Sequence, residues 1–140
     1  MSANQLAARV AAAMLAKEGT GPAWGVTIDA AEAGHSRIRM TLRDDMLNGH
    51  GTAHGGMIFA LADTAFAYAC NSANERAVAA HASITFIDAA QGGETLIAEA
   101  RERAKKGRSG VYDVSVTTED GRLVAEFRGL SRTIGGALVE

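Results

Sequence analysis

The sequence holds one cysteine, Cys70, so no intrachain disulfide can form and nothing points to an oxidising compartment. It also lacks the clustered ligands of a metal centre. His50 and His54 are four apart but lie in a glycine-containing stretch, His35 and His81 are far off in sequence, and no metal is expected. An excess of one charge is missing too. Lys and Arg number 14 against 16 Asp and Glu, a net charge of −2 with a pI near 6.1, which argues against nonspecific nucleic-acid binding. No apolar run is long enough to span a bilayer: Met57–Ala62 and Ala65–Cys70 fall short even when joined across Asp63 and Thr64. The N-terminal ARVAAAMLA resembles a secretory segment only superficially. Arg9 interrupts it, no basic stretch precedes it, and Leu6, Val10 and Met14 recur at helical spacing. An amphipathic helix and a soluble, cytoplasmic protein are expected.

What is present is an ordinary globular balance, 47% apolar and 21% charged. The 140 residues suffice for one domain, residues 1–140, burying roughly two thirds of its unfolded surface. After the first helix, Gly19, Gly21 and Pro22 mark a break. Alternation at Trp24, Val26, Ile28 and Ala30, then at Ile38, Met40 and Leu42, predicts two strands about a turn at Gly34. Arg43–His54 is polar and irregular and reads as a loop. From Gly55 to about Asn71 the chain is apolar on nearly every side, the pattern of an enclosed helix. Strands are predicted around Ala82–Phe86, Leu96–Ala100, Tyr112–Val116 and Leu123–Phe127, with turns at Gln91–Gly93 and Asp120–Gly121. The expected fold is α+β, a curved antiparallel sheet around one long helix, with exposed edges suited to dimerisation.

Within that helix Asp63 is anomalous, because a carboxylate among apolar neighbours is costly unless something uses or pairs it. It suits a general base, a carboxylate nucleophile or a structural hydrogen-bonding role. Upstream, His54-Gly55-Gly56 begins the helix. The first N–H groups of a helix lack intrahelical partners and sit at its positive end, and glycine lets a ligand approach, so this start can stabilise an oxyanion; equally, the glycines can simply turn the chain. Asp63 lies about 12 Å of helical rise beyond Gly55, too far to act on a group bound at its own helix start. In a two-fold dimer a second copy brings its Asp63 there. No G-x-S-x-G motif or phosphate loop occurs. Arg101, Arg103, Lys105, Lys106 and Arg108 crowd one segment with only Glu102 against them, either a solvated hairpin or a docking patch for a phosphate-bearing ligand.

The segments NGHGTAHGG (from Asn48) and LADTAFAYAC (from Leu61), with GVYDVSV and VAEFRGLSRTIGG further on, resemble the hotdog-fold acyl-CoA thioesterases of the phenylacetate-degradation (PaaI) type. The resemblance runs from about Trp24 to Gly136. It implies a hotdog fold, with dimers that hold two active sites at the subunit interface and pair into homotetramers. It also implies a hydrolase that needs no cofactor and frees CoA from phenylacetyl-CoA or hydroxylated aryl-acyl-CoA thioesters. It places the catalytic carboxylate on Asp63, the oxyanion-binding N–H on Gly55, the active-site histidine position on His54 and the loop asparagine on Asn48. The serine that assists the water in related enzymes falls on alanine here, leaving Ser83 or Thr64 as substitutes. Lys105, Lys106 and Arg108 are the candidates for CoA's phosphates, and Thr64 is also placed at the substrate. Phe59, Phe66, Ala67 and Tyr68 are candidate pocket residues. The competing readings are a thioesterase of different acyl preference and a non-catalytic acyl-CoA sensor.

Overall fold

The computed structural model describes residues 1–140. Helix α1, Ala3–Lys17, starts where Ser2 and Gln5 cap each other: Ser2 Oγ accepts from the Gln5 N–H at 3.1 Å, and Gln5 Oε1 from the Ser2 N–H at 2.9 Å. It buries Ala7, Val10 and Ala11. A short turn of helix, α2 (Thr20–Ala23), fills the break around Pro22. Strands β1 (Thr27–Glu32) and β2 (His35–Thr41) form a hairpin at Gly34, whose φ of +67° is left-handed and open to glycine. β1 starts later than the alternation from Trp24 suggests, because Trp24 closes α2 and Gly25 turns the chain.

A loop with one 3₁₀ turn, Asp44–Met46, leads into the long helix α3, Gly55–Cys70. Four strands follow: β3 (Ala77–Phe86), β4 (Thr95–Lys106), β5 (Ser109–Thr118) and β6 (Leu123–Thr133). All six strands form one sheet in the order β1-β2-β4-β5-β6-β3, and every neighbouring pair is antiparallel. β3 begins earlier than its sequence suggests, because a bulge between Ala79 and His81 breaks the alternation. This is the hotdog arrangement. Leu61, Ala62, Ala65 and Phe66 of α3 share one core with Ile38, Met40, Leu96, Ala98, Val114, Val116 and Phe127 of the sheet.

Apolar packing holds α3 against the sheet but permits sliding; two buried polar residues fix its place. Ser36, fully buried on β2, donates from Oγ to the Ala65 carbonyl at 2.6 Å. Asn71, closing the helix, donates to the carbonyls of Ala67 at 2.9 Å and Ala77 at 3.2 Å and accepts from the Ala77 N–H at 2.9 Å. At the far end of α1, Glu18 accepts from the Tyr68 hydroxyl at 3.1 Å, and burial pushes its carboxyl above the ordinary value.

Enclosure of α3 is incomplete. Gly56 is exposed, and Ala60, Asp63, Thr64 and Ala67, at three- and four-residue steps beyond it, are only partly covered, so the helix carries an open stripe despite its apolar composition. The sheet edge β3 is also uncovered, bonded only to β6. Val78 on it is 46% exposed, Phe86 52% and the following Ile87 53%. No helix is long and apolar enough to cross a membrane.

Candidate active site

At the start of α3, His54 is the cap: its Nδ1 accepts from the Gly56 N–H at 2.9 Å. The His54 carbonyl accepts from the N–H groups of Met57 at 2.9 Å and Ile58 at 3.2 Å. Of the first four N–H groups of the helix, only that of Gly55 has no acceptor. With Nδ1 used as an acceptor, Nε2 is the ring nitrogen left to meet a ligand. The histidine therefore organises the helix start and leaves one donor free at its positive end.

Gly55 lines a cleft of about 420 Å³, with Asn48, Ala53 and Ile58 on one side and Phe86–Ala89 on the other. A Cβ on Gly55 would come to 3.1 Å from Phe86 Cζ, so the missing side chain is what lets that ring lie against the helix start. Asn48 folds over its own loop. Its Oδ1 accepts from the N–H groups of His50 at 2.9 Å and Thr52 at 3.2 Å, and its Nδ2 donates to Thr52 Oγ1 at 3.0 Å. The Phe86–Ala89 wall was not among the expected site residues. Its one trace in the sequence is the pair Phe86-Ile87, two large apolar residues in succession where the strand alternation ends.

Asp63 lies two turns along α3 from Gly55, on the open stripe. Its carboxylate is half-buried and has no hydrogen bond or ion pair within the chain; desolvation alone pushes its pKa above the ordinary value. The neighbouring Thr64 commits its hydroxyl proton to the Ala60 carbonyl at 2.7 Å, leaving only oxygen lone pairs for a ligand. Cys70 is no nucleophile: burial first, then the Asp63 charge, pushes its thiol up to about 12.

Asn48, His54 and Gly55 are thus brought together, whereas Asp63 and Thr64 of the same chain are held away from them. Ser83 is turned away from the Gly55 cleft of its own chain. It pairs with Arg128 on β6 and shares an outer-face recess with Asp113 and Glu126, while Ala82 and Ile84 on either side pack on the core. Phe66 and Tyr68 are core residues, each 1% exposed, and Phe59 packs edge-on against Phe127 at 5.4 Å; only Ala67 of the expected pocket residues lies on the open stripe.

The basic segment forms the β4–β5 hairpin, turning at Gly107. Three of its cations have carboxylate partners: Arg101 with Glu99 on the same strand at 3.1 Å, Arg103 with Asp113 on β5 at 3.3 Å and Lys105 with Glu75 before β3 at 3.5 Å. Lys106 and Arg108 are exposed and unpaired. The hairpin pairs through Ser109 with Arg132, and Arg132 with Val78, which places it at the C-terminal end of α3, a helix length away from Gly55 of the same chain. No group of three or more His, Cys, Asp or Glu side chains converges on a point.

Comparison with known proteins agrees with this architecture. The family model of the Thioesterase superfamily matches residues 50–125, the span from the loop before α3 into β6. Acyl-coenzyme A thioesterase PaaI of Escherichia coli is 42% identical over 126 residues, 90% of each chain. The solved structure of E. coli PaaI superposes with a TM-score of 0.95 at 41% identity, covering 97% of this chain and 99% of that one. A Streptococcus mutans protein solved with acetyl CoA bound superposes with a TM-score of 0.77 at 28% identity, over 80% of this chain and 90% of that one. The chain belongs to the thioesterase superfamily.

Proposed function

We propose that this chain is an acyl-CoA thioesterase that hydrolyses phenylacetyl-CoA or hydroxylated aryl-acyl-CoA thioesters to free acid and CoA. In this reading one domain, residues 1–140, forms a cytoplasmic homodimer that pairs into a homotetramer. The observation that carries the reading is Asp63, a desolvated carboxylate without a partner in its own chain, on a stripe that leads from the free Gly55 N–H. The E. coli relative is by name an acyl-CoA thioesterase, and the S. mutans structure holds acetyl CoA, which supports a CoA thioester as substrate. The open α3 stripe and the bare β3 edge support a second copy of the chain as what covers them.

The thioester carbonyl oxygen accepts from the Gly55 N–H, at the positive end of α3. Asp63 of the partner subunit takes a proton from water as the water oxygen bonds to the carbonyl carbon, and the C=O pair moves onto the oxyanion. Collapse restores the C=O bond and breaks the C–S bond. CoA leaves as a thiolate, which takes up the proton held by the carboxyl; a thiol pKa of about 8.5 makes a strong general acid unnecessary. Desolvation raises the basicity of Asp63, which suits it to taking a proton from water. Asn48 orients the carbonyl or the water, His54 holds the helix start, and Thr64 offers its hydroxyl oxygen to the substrate. Lys106 and Arg108, with Lys105, are the proposed contacts for CoA's phosphates.

Thiol release from a panel of acyl-CoAs tests this. The expected result is faster turnover of phenylacetyl- and hydroxyphenylacetyl-CoA than of acetyl-CoA or long-chain esters. Binding of these esters with no thiol released from any would make the protein a sensor. Preference for fatty acyl chains would overturn the substrate assignment alone.

A further inference from the structure

We infer that Arg122, just after the turn between β5 and β6, is a positioning residue for the cleft beside Gly55; the inference rests on the thioesterase reading of that cleft. Its guanidinium makes four contacts. Nη1 donates to the Ala89 carbonyl at 2.6 Å and to Asp88 Oδ2 at 3.1 Å, and Nη2 to Glu94 Oε1 at 2.8 Å and Oε2 at 2.7 Å. The arginine is itself held, because its N–H donates to Thr118 Oγ1 at 3.1 Å and its carbonyl accepts from the Thr118 N–H at 2.9 Å.

What Arg122 grips is the outer wall of the cleft. Asp88 and Ala89 line it, and the next residue passes the restraint across: the Ala90 carbonyl accepts from the Ala53 N–H at 2.8 Å. Thr52 and Gln91 form a bridge beside that bond, and Glu94 also accepts from the Gln91 N–H at 2.9 Å. Ala53 directly precedes the His54 cap and Gly55. A continuous line of bonded groups therefore runs from the guanidinium through Ala89–Ala90 and Ala53 to the free donor of the helix start. Arg122 also separates like charges, since Asp88 and Glu94 converge on one guanidinium and would face each other without it.

An ordinary surface ion pair contributes little. Arg122 differs in bonding a main-chain carbonyl as well as two carboxylates, with its side chain 37% exposed. A stabilising pair alone would alter melting temperature but not which acyl group is preferred. A wall-positioning arginine alters the preference if, as the thioesterase reading requires, an aryl group reaches the far wall of the cleft and an acetyl group does not.

The test compares Arg122→Ala, Arg122→Lys and, as a control for loss of a surface arginine network, Arg39→Ala, which removes the contacts to Asp29 on β1 and Glu119 in the β5–β6 turn but none to the cleft wall. Arg122→Ala is expected to lose about tenfold to a hundredfold in kcat/KM for phenylacetyl-CoA, mostly through KM, and less for acetyl-CoA. Added guanidinium ion should restore part of the loss. Residue-resolved amide exchange should show Ala53 exchanging faster. Arg122→Lys, a point charge without the bidentate fork, should fall between and serves if the alanine variant does not fold. Arg39→Ala should change neither the selectivity ratio nor Ala53. An unchanged ratio together with unchanged Ala53 exchange would overturn the inference. If the native protein releases no thiol from any acyl-CoA, the functional reading fails, while Ala53 exchange still decides whether Arg122 holds the wall.

Discussion

Asp63→Asn is expected to lower kcat at least about a hundredfold, with KM for the thioester within about twofold of native. Asparagine keeps the shape of the side chain but cannot take a proton from water, so binding survives and the chemical step does not. The same change is expected to stabilise the fold at neutral pH. Desolvation raises the Asp63 pKa above its unfolded value of 3.8, so the folded state holds this proton more tightly than the unfolded state does. Below pH 3.8 both states are protonated and the residue exacts no charge penalty. As pH rises through the folded value, the folded state must carry a desolvated, unpaired charge and loses stability relative to the unfolded one. Asparagine carries none. Melting temperature should therefore be higher for Asp63→Asn than for native protein at pH 7, and the difference should vanish on acidification. The acid limb of kcat/KM should fall above the ordinary aspartate range, because the base must be deprotonated to act. Native turnover by Asp63→Asn would remove this residue from the mechanism.

Phe66→Ala should give the largest loss of stability from one truncation, about 3–5 kcal/mol in urea unfolding. Phe66 is 1% exposed and its ring lies between those of Tyr112 at 5.6 Å and Phe127 at 5.8 Å. One face of the ring rests on Gly129, where a Cβ would approach three ring atoms to 2.8 Å. Gly129→Ala alone should therefore destabilise by overpacking, by about 1–3 kcal/mol. In the Phe66→Ala background the same methyl enters vacated space, so the double variant should be more stable than the sum of the two losses predicts. Additive losses would mean that Phe66 and Gly129 do not share a packing site.

Much of this arrangement was legible in the sequence. A long alanine-rich apolar stretch led by His54-Gly55-Gly56 read as an interior helix, and Asp63 stood out by contrast with its neighbours. The all-round apolar pattern misled on one point. It records everything the helix buries, whether against its own sheet or elsewhere, so the open stripe at Gly56, Ala60, Asp63, Thr64 and Ala67 was not separable from the enclosed faces. Local charge counting likewise overstated the basic hairpin, because Glu75 and Asp113 reach Lys105 and Arg103 from other elements. The alternation that packs Ala82 and Ile84 against the core already turns Ser83 outward, so its facing was available from parity alone. The Arg122 clamp was not: its carboxylate partners lie 34 and 28 residues away, and only the pairing of β6 with the chain before β4 brings them together.

The claim on which the account turns is that Asp63 serves the helix start of another copy. Subunit complementation tests it most directly. Asp63→Asn and Gly55→Val, the second blocking the cleft against Phe86, should each be inactive alone. Unfolded together and refolded as mixed dimers, they should recover about a quarter of native activity, since half the dimers are mixed and each rebuilds one of two sites. If Asp63 acted within its own chain, every site in the mixture would carry one defect, and the refolded sample would release no more thiol than either variant by itself.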